Sequence, residues 1–174
     1  SSSNQLGSPM GISIDSNGDI YVADVSNQRI QKFPSNSTSS TNGTTVAGGN
    51  GGGSGLNQFH NPYDVDIGPD GSIFVVEGDN DRILKFPSNS TSSTNGTIVA
   101  GGNGRGNASN QFTNPQSLLI DENGVIYVGD TQNNRVQKFP SNSTSSTDAT
   151  TVAYGRDIND IDFDSNSNLY VANQ

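Results

Sequence analysis

Slid along itself by 53 residues, this chain falls into register three times: Pro9, Pro62 and Pro115 coincide, then Gly18, Gly71 and Gly124, then Arg29, Arg82 and Arg135. A fixed period of that length means that one small unit is built repeatedly and stacked against copies of itself. A fourth copy begins near Arg156 with a shortened entry, matches again at "DSNSNLYVAN", and stops at Gln174 before any counterpart of Arg29. The repeats run approximately over 4–56, 57–109 and 110–155, with a partial repeat over 156–174.

Inside each unit the hydrophobic period is two. The first copy reads "GISID", "DIYVAD", "RIQKF" and "TTVAG", four short apolar runs bounded by turn residues, which predicts four antiparallel strands. "DSNGD" and its counterparts join the first two strands, with Asp and Asn accepting local N–H groups and Gly supplying positive φ. Between the third and fourth strands the decamer "KFPSNSTSST" recurs letter for letter at Lys32, Lys85 and Lys138. It is closed by Asn42-Gly43 and Asn95-Gly96, and by Asp148-Ala149 in the third copy. A polar loop ending in Asn-Gly predicts a hairpin tip that projects from the strand pair.

A four-stranded unit followed by a Gly-rich connection such as "AGGNGGGSG" predicts an all-β chain of propeller blades. The stretches "SPMGISIDSNGDIYVADVSNQRIQKF", "NPYDVDIGPDGSIFVVEGDNDRILKF" and "NPQSLLIDENGVIYVGDTQNNRVQKF" resemble the NHL repeat, with its Pro, its Asp-x-x-Gly turn, its "YVAD" strand and its Asn-x-Arg-[Ile/Val]-x-x-Phe close. The resemblance implies one β-propeller blade per repeat. About 3.3 such blades fall short of the four to eight that close a ring, so the expected partners are further NHL repeats or other copies of the chain.

Charge and composition narrow the function. Seventeen Asp and Glu against eight Lys and Arg give a formal net charge of −9, which disfavours nucleic acid. There is no apolar run long enough for a membrane-spanning helix, so no membrane insertion is expected, and "SSSNQLGSPM" lacks the basic start and apolar centre of a leader. The absence of Cys removes disulfide and thiolate chemistry.

Several residues are candidates for a site. Asp24, Glu77 and Asp130 end the second strands and Arg29, Arg82 and Arg135 begin the third, a spacing that brings carboxylate and guanidinium together across a tight turn. Because the pairs recur once per blade, they read as structural and not catalytic. The first strand of a blade lines the channel, and there Asp64 with Asp66, and Asp160 with Asp162, place two carboxylates on one strand face. Such oxygen ligands suit Ca²⁺, but the preferred reading is a wet, acidic channel wall with no bound ion, so no cofactor is expected. No helix follows the Gly-rich runs, so they are linkers and not phosphate cradles, and His60 has no second His to work with. Asn36, Asn42, Asn89, Asn95, Asn107 and Asn142 each open an Asn-x-Ser/Thr sequon, all but Asn107 within the decamer loops. Glycans at those loops would make the protein extracellular or surface-exposed.

The expectation from these residues is a non-catalytic, glycosylated scaffold, a propeller unit of a larger extracellular assembly, with a filament as one form of it. The alternative is a metal-dependent propeller hydrolase or lyase built on the channel carboxylates. The resemblance supplies that alternative, since NHL lyases that cleave hydroxyglycine peptides and the similar gluconolactonase-like propellers rely on channel metals.

Overall fold

The computed structural model describes residues 2–173 and is almost entirely β. The first blade comprises β1 (Pro9–Ile14), β2 (Ile20–Asp24), β3 (Arg29–Phe33) and β4 (Thr44–Gly48). The second comprises β5 (Pro62–Ile67), β6 (Ile73–Glu77), β7 (Arg82–Phe86) and β8 (Thr97–Gly101). The third holds β9 (Ser117–Ile120), β10 (Ile126–Asp130), β11 (Arg135–Phe139) and β12 (Thr150–Tyr154), and the fourth holds β13 (Asp160–Phe163) and β14 (Leu169–Ala172). Strand order within each blade follows the chain, and every pairing is antiparallel.

The "DSNGD" turn closes as its composition predicts: Asp15 Oδ1 accepts the N–H groups of Asn17 and Asp19, while Gly18 sits at φ +79°. Asp121 and Asp164 repeat this in the third and fourth blades. At the next turn Gln28, Asp81 and Asn134 adopt left-handed backbone, which reverses the chain into the third strand.

The second and third blades are apolar on both faces because each is packed between neighbours. One core joins Tyr21, Ala23 and Ile30 of the first blade to Val65, Ile73, Val75, Leu84 and Phe86 of the second. The next joins Phe74, Val76 and Ile83 to Leu118, Ile126, Val128 and Phe139, and a third joins Tyr127 and Val136 to Ile158 and Ile161. The Gly-rich linkers contribute anchors: Phe59 and Phe112 are fully buried and stand edge-on to Phe86 and Phe139 at 5.8 and 5.7 Å. Gly101 must be glycine to admit Phe112, since a Cβ there would lie 2.5 Å from the ring and 2.4 Å from Asp81 O, at φ +69°. The innermost strands β1, β5, β9 and β13 follow one another around the arc and form one wall.

Candidate functional site

That wall is where the copies differ and where the acidic residues gather. Alternation along β5 turns Asp64 and Asp66 to the channel and Val65 to the core. Asp64 Oδ1 accepts the N–H of Val65 at 2.8 Å and Oδ2 accepts that of Leu118, on β9, at 2.9 Å. Asp66 Oδ1 accepts from Ile67 N at 2.8 Å and from Ser13 Oγ, on β1, at 2.9 Å, while Oδ2 accepts from Ile120 N at 2.7 Å. Two carboxylates thus tie three inner strands together.

Burial is the largest influence on both acids. It pushes the Asp64 carboxyl up to about 7, against the pull of the Leu118 and Val65 N–H groups and with added push from the charges of Asp160 and Asp66. Asp66 is raised by the same cause, opposed by Ile120, Ser13 and Ile67. Asp64 therefore exchanges its proton near neutral pH. It faces a cavity of about 320 Å³ lined by Met10, Gly11, Ile12, Tyr63, Gln116, Asn159 and Asp160.

Asp160 and Asp162 are exposed, and their Oδ1 atoms accept from Ile161 N and Phe163 N at 2.9 and 2.7 Å. Among the described residues no three His, Asp or Glu side chains gather closely enough to hold a metal ion. Asp64 and Asp66 are held by N–H donors of their own and neighbouring strands, whereas Asp160 and Asp162 each accept one N–H from their own strand and are otherwise exposed.

The recurring carboxylate–guanidinium pairs form across their turns in all three complete blades. Arg29 Nε meets Asp24 Oδ2 at 2.7 Å, Arg135 Nε meets Asp130 Oδ2 at 2.8 Å, and Arg82 Nε meets Glu77 Oε2, with all three carboxylates fully buried. The other guanidinium nitrogens reach the linker before the blade: Arg82 donates to Ser54 O, Gly55 O and Gln58 O, and Arg135 to Asn107 O, Ala108 O and Gln111 O. Arg29 reaches Ser2 O and Gln5 O in the same way. Each pair fastens a blade to the linker that enters it, a role that spacing within one repeat does not reveal. The ammonium groups of Lys32, Lys85 and Lys138 lie 5.0 to 5.3 Å from the centroids of the Tyr21, Phe74 and Tyr127 rings, each over the ring of its own blade's second strand.

The decamer does not project as expected. It folds into two successive turns, with Ser90 N donating to Pro87 O and Thr94 N to Thr91 O, and lies back on the preceding blade. Ser90 is buried and its Oγ donates to Val46 O at 2.7 Å, while the side chains of Asn50 and Asn103 donate to Ser92 O and Ser145 O in the following blade. The copies differ in the Ser90 contact, since Ser37 Oγ in the first donates to Pro34 O of its own loop. The sequon asparagines Asn36, Asn42, Asn89, Asn95 and Asn142 are nevertheless exposed, as is Asn107 in the linker.

Repeated four-stranded sheets around a shared inner wall define a β-propeller architecture, and comparison with known proteins gives the repeat its family. The NHL repeat model matches residues 6–33 and 112–139. The chain is an NHL-repeat protein, and its repeats are propeller blades. It is 34% identical over 137 residues, 75% of its length, to the probable peptidyl-alpha-hydroxyglycine alpha-amidating lyase pgal-1 of Caenorhabditis elegans, of which it spans 36%. In fold it matches a chain of the nidogen/laminin complex (18% identity, TM-score 0.72, covering 97% of this chain and 57% of that one). It matches a gluconolactonase from Xanthomonas campestris equally well (10% identity, TM-score 0.72, covering 98% and 56%).

The likeness to the lyase corrects the expectation of a non-catalytic protein. That expectation rested on the spread of the blade ion pairs around the arc and on the lone His60. Neither observation bears on Asp64, whose environment depends on the inner strand of the next blade.

Proposed function

We propose that this chain forms part of an NHL-propeller lyase that breaks the N–Cα bond of peptidyl-α-hydroxyglycine, with Asp64 as the proton-transfer group. The carrying observation is the 34% identity to a lyase of that name across three quarters of the chain. The geometry supports it with a carboxyl held near neutral on the wall of a cavity that also presents the amides of Gln116 and Asn159.

In this reading the Asp64 carboxylate takes the proton of the substrate hydroxyl. The oxygen's electron pair then forms the carbonyl of glyoxylate as the C–N bond breaks, and the protonated Asp64 returns its proton to the departing nitrogen, giving the peptide amide. A group whose pKa lies near the working pH suits both halves of that transfer. Exposure of all six sequons supports an N-glycosylated protein at the cell surface or outside the cell, with further NHL repeats as neighbours.

The test is glyoxylate release from an N-acyl-α-hydroxyglycine peptide by the purified protein. Release well above the uncatalysed rate, reduced by about 10²–10⁴ in a folded D64N variant, is the expected result. Release at the uncatalysed rate overturns the reading.

A further inference from the structure

Six Asn-Gly pairs punctuate the chain, beginning at Asn17, Asn42, Asn50, Asn95, Asn103 and Asn123. Such a pair is where a polypeptide most readily deamidates, because glycine has no Cβ to hinder its nitrogen as it closes on the asparagine side chain. The structure divides the six. Gly18 N, Gly43 N, Gly96 N and Gly124 N donate to Asp15 O, Ser3 O, Leu56 O and Asp121 O at 2.8 to 2.9 Å, and none of these glycines is exposed. Gly51 and Gly104 are exposed, and their N–H groups meet no acceptor among the described residues.

The two free nitrogens are also activated. Gln58 Nε2 donates to Asn50 O at 3.2 Å, and Gln111 Nε2 donates to Asn103 O at 3.0 Å. Each of those carbonyls shares a peptide unit with the free N–H, so the donated bond draws charge from the nitrogen and eases loss of its proton.

The same two asparagines hold the linkers to the decamer loops. Asn50 Nδ2 donates to Asn57 O within its linker and to Ser92 O in the second blade. Asn103 Nδ2 donates in the same way to Asn110 O and to Ser145 O in the third blade. An aspartate at either position has no N–H to donate and sets a negative charge against two carbonyl oxygens, and the isoaspartyl form also lengthens the main chain by a carbon.

We propose that Asn50 and Asn103 are selective deamidation sites, and that their conversion releases the decamer loop of the following blade. Gly51 N passes its proton to water and attacks Asn50 Cγ, the Cγ–Nδ2 bond breaks, and Nδ2 leaves with a proton as ammonia. Water then opens the cyclic imide to aspartate or isoaspartate. Gly104 and Asn103 react alike. The modification needs only water and is independent of the lyase reading.

Timed incubation of the unglycosylated full chain at mildly alkaline pH, followed by peptide mapping, tests it. Aspartate and isoaspartate should accumulate at Asn50 and Asn103 at least about fivefold faster than at the other four sites, the factor that one net hydrogen bond supplies. The six rates should converge when the chain is unfolded in urea. Hydrogen exchange reads the consequence: the amides of Thr94 and Thr147, which donate to Thr91 O and Thr144 O inside the loops, should exchange at least about fivefold faster in N50D/N103D. Both side chains are exposed, and circular dichroism verifies that the variant folds. Equal rates at all six sites in the folded chain, a hydrogen-bonded site reacting first, or the same ordering in urea overturns the selectivity. Unchanged exchange in N50D/N103D overturns the release.

Discussion

Replacing Arg82 with Ala removes more than any exposed ion pair can supply. The substitution leaves the Glu77 side chain, 0% exposed, without its guanidinium, and deprives Ser54 O, Gly55 O and Gln58 O of their donors. Breaking a buried pair on one side costs about 3–5 kcal/mol, a large share of the roughly 5–15 kcal/mol that holds a domain together. Arg82→Lys keeps the charge, but one ammonium cannot span a carboxylate and three carbonyls, so about 1–3 kcal/mol is lost. Lys85→Ala breaks the pair with Asp70, whose side chains are 33% and 57% exposed, and costs under about 1 kcal/mol. Burial already raises the Glu77 pKa with Arg82 opposing it, so in R82A the acid binds its proton more tightly and the deficit is smaller at pH 5 than at pH 8. Urea denaturation followed by tyrosine fluorescence, in a chain with five Tyr and no Trp, measures all three variants. An R82A midpoint indistinguishable from that of K85A refutes the argument.

The linker glycines should separate by what faces them. Gly101→Ala drives a Cβ into Phe112 and Asp81 O and costs more than about 2 kcal/mol, whereas Gly104→Ala, at φ +78° with nothing within 4 Å, costs about 1 kcal/mol; thermal melting distinguishes them. Burial pushes the Asp64 carboxyl up to about 7 from the ordinary aspartate value of about 3.8, and Asp66 is shifted the same way, so the folded state should bind more protons than the unfolded one between those values. Stability should therefore fall as pH rises from about 4 to about 7 and level off above, and denaturation midpoints that rise across that window contradict the assignment. N-glycosidase treatment of protein from its natural source should lower its mass and convert Asn36 or Asn89 to Asp in peptide maps; unmodified peptides throughout exclude the glycans.

The blades were legible because each of their cues is local: period-two apolar runs, Asp-Gly turns and a 53-residue register all lie within one repeat. The Asp24–Arg29 type of pair could be read from a five-residue separation across one turn. What joins repeats was not legible. Asp66 bonds Ser13 and Ile120, which lie 53 and 54 residues away, and Ser90 bonds Val46 across 44. Those contacts depend on how blades stack, and they decide both the raised pKa of Asp64 and the folded-back course of the decamer. The hydrogen bonding of the channel carboxylates was hidden for the same reason, since neighbouring backbone N–H groups meet oxygens that the sequence shows only as carboxylates. Asp64 and Asp66 were present in the sequence as a pair on one strand face, but their bonds to Leu118 N and Ile120 N required the placement of β5 against β9.

The most direct test of Asp64 as the working group is the pH dependence of kcat/KM for glyoxylate release. A base that must be ionised and that titrates at about 7 gives a rate that rises with pH and levels off above that value, and the limb disappears with the residual activity of D64N. A profile flat across that range, or a limb at the same pH in D64N, contradicts the account.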